Sequence, residues 1–133
     1  MEYIYLDIYN YAEELKKRTE DVLRDFDLTR AQRGRLPVMS IRYASRDPFP
    51  RVVWVYVYGK PGVRKGGTSR FTREFPKPVG YKYRDSIFEP YPEPIRSELK
   101  QIERDAAKLR ELIKRTKYVY RFARDYQKAD FRW

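Results

Sequence analysis

The chain has 133 residues, and its 30 Lys and Arg outnumber its 19 Asp and Glu to give a net charge of +11. It contains no cysteine and no histidine, which excludes disulfides, thiolate metal ligands and histidine-based catalytic triads. A hydrophobic share of 41% and a charged share of 37% predict one soluble domain over residues 1–133 with a modest core.

The sequence also bears on location. No apolar run approaches the ~20 residues needed to cross a bilayer, and the opening Met-Glu-Tyr-Ile lacks the basic segment of a secretory signal. We therefore expect an intracellular protein, in the cytoplasm or in the host cytoplasm if the chain is viral, with no membrane partner. Many Arg with few Asn and Gln are typical of thermophilic proteins.

The first element covers residues 2–26. Residues 3–9 alternate with period two, and their Tyr and Ile favour a strand. The whole segment also shows helical spacing of apolar residues, carried by Ile4, Ile8, Tyr11, Leu15, Val22 and Phe26. One continuous helix and a strand followed by a helix both fit this pattern, and we favour the continuous helix.

Residues 38–84 are predicted to form a basic antiparallel sheet of three or four strands. The strand at 51–58 places three valines on one face and a row of Trp54, Tyr56 and Tyr58 on the other. We expect the valine face to cover the core. For the aromatic row we favour a second core layer or an inter-subunit contact, with stacking on nucleic-acid bases as the alternative.

A glycine-rich loop follows at residues 59–67, with four glycines and three cations. Residues 69–75 alternate again, so the two strands and the loop predict a β-hairpin with a basic tip. A further short strand is predicted at 80–84. The loop lacks both glycine signatures that cradle phosphates, so it is a solvated tip or a binding element, and we favour binding.

The last element is a helix predicted over residues 94–128, which starts at Pro94 after a proline-rich linker. Its apolar residues follow an unbroken heptad repeat from Ile95 to Ala123. This stripe is either a dimer seam or a seam against the first helix. We favour a homodimer, with contacts through Leu99, Ile102, Leu109 and Ile113.

No catalytic chemistry is predicted. The run Glu98-Leu99-Lys100 has the spacing of a metal-nuclease motif, but it falls at the start of a helix with both charges expected to face solvent. The acidic residues of the linker, Asp85, Glu89 and Glu93, have no fixed spacing that would support paired acid–base work. We expect no enzyme activity, no metal and no cofactor.

The order of elements is distinctive. A helix is followed by Arg-Gly-Arg-Leu-Pro at residues 33–37, a strand, a hairpin through residues 66–70, Phe75-Pro76-Lys77 and a long helix. This order resembles small helix–β-hairpin–helix proteins of archaeal viruses and mobile elements. Those proteins often carry Cys-Gly-Lys-Pro in the first strand region, whereas here Gly59-Lys60-Pro61 follows Tyr58 in a different strand. The resemblance implies a part in nucleic-acid transactions and names no active residue.

Charge gives the functional prediction. Residues 30–84 carry 14 Lys and Arg against only Asp47 and Glu74, a net charge of +12. We therefore predict an α+β protein that binds nucleic acid, with duplex DNA favoured, through phosphate contacts with little sequence preference. The sequence alone does not separate DNA from RNA. The alternative is a non-enzymatic structural or interaction module that assembles through the 95–123 stripe. The predicted binding residues are Lys60, Arg64, Lys65, Arg70, Arg73, Arg42 and Arg51.

Overall fold

Helix, sheet and helix follow one another along the chain. The computed structural model describes residues 2–26, 35–44, 48–58, 71–78 and 80–130. The elements in chain order are α1 (Glu2–Leu23), β1 (Val38–Arg42), β2 (Arg51–Tyr58), β3 (Phe71–Glu74), a 3₁₀ helix (Asp85–Phe88) and α2 (Ile95–Asp130). This is the predicted α+β class, with an N-terminal and a C-terminal helix around an antiparallel sheet. The glycine-rich hairpin tip lies outside the described residues.

The three strands pair antiparallel in the order β1-β2-β3. Met39 lies opposite Trp54 in the first pair, and Tyr56 lies opposite Arg73 in the second. Residues directly opposite each other share a face of a sheet, so Met39, Trp54 and Tyr56 face the same side. That side carries the hydrophobic core: Trp54 is fully buried and its ring meets Phe88 of the 3₁₀ helix edge-on at 4.8 Å.

The valine face of β2 is buried as expected, but the helices pack on its other, aromatic face. Val53 and Val55 are buried, yet they lie on the opposite face, outside the cluster that joins the sheet to the helices. The aromatic face packs on the helices because the indole N–H of Trp54 finds an acceptor there. It donates to Glu103 of α2 at 2.7 Å, which satisfies a polar group that would otherwise be buried unpaired.

The first helix is continuous from Glu2 to Leu23, which settles the open alternative for residues 2–9 in favour of a helix. Its buried face packs on α2 and on β1. The side chains on that face recur every three or four residues, and they are Ile8, Ala12, Leu15, Thr19 and Leu23.

The long helix α2 is buried over its first half only. Leu99, Ile102, Leu109 and Ile113 have exposed fractions of 7% or less and belong to the core of the same chain. The predicted dimer contact through these four residues is therefore wrong, because α1 and the sheet already cover them. Beyond Ile113 one side of the helix is exposed: Val119 and Phe122 are 56% and 66% exposed.

No strand forms at residues 80–84, contrary to prediction. The backbone there makes a turn at Gly80, where φ is +86°, followed by an extended segment. A strand would direct the Tyr83 N–H to a neighbouring strand, but it donates instead to Oε2 of Glu103 at 2.7 Å. The side chain of Tyr83 is buried against the core.

Candidate nucleic-acid interface

A buried carboxylate fixes the sheet to α2. Glu103 has no exposed surface. It accepts hydrogen bonds from the Trp54 indole, the Tyr83 backbone and the Arg110 guanidinium, each at 2.7 or 2.8 Å. A buried charge is costly unless it is paired and hydrogen-bonded, and both Glu103 oxygens are satisfied here.

Arg110 also bonds backbone carbonyls outside the Glu103 pair. Its Nε donates to the Val52 carbonyl at 2.9 Å, and its Nη1 donates to the Tyr81 carbonyl at 2.8 Å. Its guanidinium also lies 4.8 Å from the centre of the Tyr83 ring. Because four acceptors and a ring hold it, Arg110 joins β2, the 80–84 segment and α2 at one place.

A cleft opens beside Arg110. Its volume is about 350 Å³, and it lies where the start of β2 and the residues after β3 face α2. No acidic residue is among the described residues that line it. Its cationic residues are Arg51, Lys77, Arg110, Lys114 and Lys117.

Aromatic rings position two of these lysines. The Lys114 ammonium lies 5.6 Å from the centre of the Tyr81 ring, and that of Lys117 lies 5.9 Å from the centre of the Phe49 ring. Such contacts attract a cation without neutralising it. Burial raises the pKa of Tyr83, so its hydroxyl stays uncharged near neutral pH. The cleft therefore combines positive charge with polar and aromatic walls, a combination that suits an anion.

The cations of the cleft continue along α2. Arg110, Lys114 and Lys117 are followed at the same spacing by Arg121 and Arg124, both exposed. Steps of four and three residues keep side chains on one helix face. The five residues therefore form a basic stripe that begins in the cleft and runs for about 21 Å, at ~1.5 Å per residue.

The sheet cations predicted to bind are divided between its two faces. Arg42 and Arg51 are directly paired across β1 and β2, on the face away from the helices. Arg42 donates to Thr72 at 3.0 Å, and Arg51 pairs with Glu74 at 2.9 Å. Arg73 is paired with Tyr56, so it lies on the helix-facing side. Only Arg51 reaches the cleft. The predictions at Lys60, Arg64, Lys65 and Arg70 lie outside the described residues.

Four residues of the cleft were not among the binding residues predicted from the sequence: Lys77, Arg110, Lys114 and Lys117. A signal for the helical ones was present, since cations recur along α2 with the same 4-3-4-3 spacing that revealed the apolar stripe. The position of Lys77 against them depends on the turn at Gly80, which residue spacing does not reveal.

In the described part of the chain, no group of three or more acidic side chains has an arrangement suited to a metal ion. Within the same residues no helix is long and apolar enough to cross a membrane.

The fold and the cleft define a small basic α+β protein with a cationic groove between sheet and helix. A family model described as MobI protein matches residues 8–124, which run from the buried face of α1 to the last cation of the basic stripe. The chain belongs to the MobI family, a mobilisation-related family, in agreement with the mobile-element part of the resemblance noted above. Searches of curated proteins and of solved structures found no significant match.

Proposed function

We propose that this protein binds duplex DNA without strong sequence preference, inside the cell, during the mobilisation of a mobile element. The observation that carries the proposal is the cleft, where five cations converge and none of the described lining residues is acidic. Arg51 and Arg110 are paired with Glu74 and Glu103, so the three lysines of the cleft are the phosphate contacts that we propose. Membership of a mobilisation-related family supports the same class of partner. The proposal involves binding alone and includes no chemical step.

The residues of the cleft have separate roles. Arg110 is held by Glu103, Val52 and Tyr81, so it positions the cleft wall, and the Glu103 carboxylate balances its charge. Lys77, Lys114 and Lys117 contribute long side chains with ammonium groups, which contact phosphates as point charges. Phosphate contacts of this sort set affinity and register and read little sequence.

The basic stripe extends the contact beyond the cleft. At a rise of ~3.4 Å per base pair, the roughly 21 Å from Arg110 to Arg124 matches about six base pairs of duplex. A protein that neutralises about six phosphates should lose affinity with salt at a slope of about −5 in log K against log salt. Fluorescence anisotropy with one labelled duplex at several salt concentrations measures this slope.

A triple variant tests the cleft itself. We expect Lys77→Ala, Lys114→Ala and Lys117→Ala together to weaken binding to all duplex sequences and to reduce the salt slope by roughly 3, because each phosphate contact contributes ~0.9. The matched control is Lys16→Ala, Lys17→Ala and Lys108→Ala, which removes the same charge from residues outside the cleft. Equal effects of the two triple variants would show that net charge alone drives binding and would refute the cleft.

Two further experiments test the contribution of the hairpin tip and the preference for DNA. Lys60→Ala, Arg64→Ala and Lys65→Ala remove the cations predicted at the hairpin tip, and their effect on the slope separates a contribution of the tip from that of the cleft. Competition by an RNA duplex of the same sequence tests the preference for DNA. No binding of any duplex at low salt would end the proposal.

A further inference from the structure

The C-terminal half of α2 carries a second stripe that the described part of the fold leaves exposed. Leu112, Val119, Phe122 and Tyr126 are 49–68% exposed. With Arg115 between the first two, they follow steps of three and four residues, which is the spacing of a coiled-coil seam. We define this set of four apolar residues as the apolar seam.

The apolar seam and the basic stripe occupy opposite sides of the helix. At 3.6 residues per turn, the mean direction of the seam lies roughly 160° from that of the stripe. Between Leu112 and Val119 the seam is interrupted by one charged residue, Arg115, whose Nη2 donates to Glu111 of the preceding turn at 2.8 Å. This face therefore offers little charge to bind a polyanion, whereas its exposed apolar surface suits a second apolar helix.

We propose that the apolar seam is a homodimer contact, with the same seam of a second copy as its occupant. The area fits such a contact. Phe122, Tyr126 and the flanking Tyr118 are 66–74% exposed, and at about 200 Å² per ring they present roughly 400 Å². That is half of the ~800 Å² that each partner contributes to a standard interface, before Leu112, Val119 and the flanking polar residues are added.

The charge layout favours a second copy as well. The pairing of two seams turns both basic stripes outward, so the cations of the two copies are held apart. The dimer would present two clefts and two stripes to DNA without covering either.

Arg115 sets the orientation of the pair. In a parallel pair, Arg115 of one copy would lie against its equivalent, and like charges at such a contact repel. In an antiparallel pair it lies opposite the Tyr126 end of the seam, where a guanidinium can stack on an aromatic ring. The dimer is therefore antiparallel.

The first test is the mass of the full chain in solution, measured without DNA by light scattering over a range of protein concentrations. We expect a monomer at low concentration and a dimer at high concentration. The double variant Val119→Ser and Phe122→Ser should raise the dimer dissociation constant at least about tenfold, as the loss of a central anchor commonly does. Both residues are exposed in the single chain, so far-ultraviolet circular dichroism and the melting temperature at low concentration should be unchanged.

The matched control is Arg121→Ser with Arg124→Ser, which alters two exposed residues on the opposite face and should leave the dissociation constant unchanged. A wild-type mass that stays monomeric at every concentration would overturn the proposal and would leave the seam to a different protein. A dimer that the seam variant does not weaken would overturn it too, because another surface would then be responsible.

Crosslinking tests the orientation. Because the chain has no cysteine, Leu112→Cys and Tyr126→Cys each introduce a single thiol. A short bismaleimide should join a mixture of the two variants and should not join either alone, since positions 112 and 126 are about 21 Å apart along the helix. Crosslinking of each variant to itself would overturn the antiparallel arrangement, and Arg121→Cys controls for random collision.

Discussion

At the scale of single residues, Glu103 determines how the sheet meets α2. Its two oxygens accept one hydrogen bond from the Trp54 indole, one from the Tyr83 backbone N–H and two from Arg110. This explains why β2 turns its aromatic side to the helices. It also connects fold to site, because Arg110 forms part of the cleft wall only while Glu103 holds it.

We expect Glu103→Gln to lower the free energy of unfolding by about 3–5 kcal/mol, the usual cost of leaving one member of a buried ion pair without its partner. Chemical denaturation followed by tryptophan fluorescence measures this loss. The control is Glu111→Gln, which breaks the exposed 2.8 Å pair with Arg115 and should cost at most about 1 kcal/mol. Similar small losses in both variants would mean that the Glu103 network does not stabilise the sheet–helix contact.

At the scale of elements, α2 has two halves with different environments. Leu109 is 2% exposed in the core, while Leu112, three residues later, is 49% exposed on the apolar seam. Leucine thus occurs both on the buried face and on the exposed face of the same helix. The same substitution at the two leucines therefore compares the stability contribution of a buried side chain with that of an exposed one.

Leu109→Ala should cost about 2–5 kcal/mol of stability through lost burial and the cavity left behind. Leu112→Ala should change stability by no more than about 0.5 kcal/mol at low protein concentration. Thermal melts of both variants at several concentrations check this, and a dimer would make the Leu112→Ala deficit grow with concentration by mass action. A large, concentration-independent loss for Leu112→Ala would contradict the exposed position of this residue.

The elements were largely predictable from the sequence, and their partners were not. The heptad spacing revealed the long helix, but spacing alone does not say whether Leu99 meets another chain or its own α1. Valine and the aromatic residues both favour buried strand faces, so their pattern does not tell which side of β2 meets the helices, where Trp54 finds its acceptor in Glu103. Charge counting found the basic region, but it could not show that Arg51 is paired with Glu74. Nor could it show that Lys77 meets Lys114 and Lys117 in one cleft.

At the scale of the whole molecule, tyrosine links distant parts of the fold. The Tyr91 hydroxyl, from the segment before α2, donates to the Pro37 carbonyl just before β1 at 2.7 Å, across 54 residues of chain. The Tyr91 side chain has no exposed surface and meets Phe26 edge-on at 5.3 Å. Burial raises the pKa of Tyr91, so the folded protein favours the uncharged, donating hydroxyl.

This linkage predicts how stability responds to alkaline pH. A group whose pKa is raised on folding stabilises the protein fully below its unfolded pKa, near 10 for tyrosine, and that contribution is lost as pH rises further. Deprotonation of lysines acts in the opposite direction, because it relieves repulsion within a chain of net charge +11. The wild-type curve alone therefore mixes the two effects, and a Tyr91→Phe variant separates them.

Near neutral pH we expect Tyr91→Phe to be less stable than the wild type by about 1–3 kcal/mol, because the buried Pro37 carbonyl loses its donor. This deficit should shrink as pH rises above about 10. In that range the unfolded wild type loses the Tyr91 proton while the folded wild type keeps it, which lowers the stability of the wild type, whereas phenylalanine does not titrate. Denaturant titrations of both proteins from neutral pH to pH ~11 measure the gap directly. A gap that stays constant across this range would show that Tyr91 titrates alike in the folded and unfolded chains, and the raised pKa would then have no part in holding the β1 entrance to the start of α2.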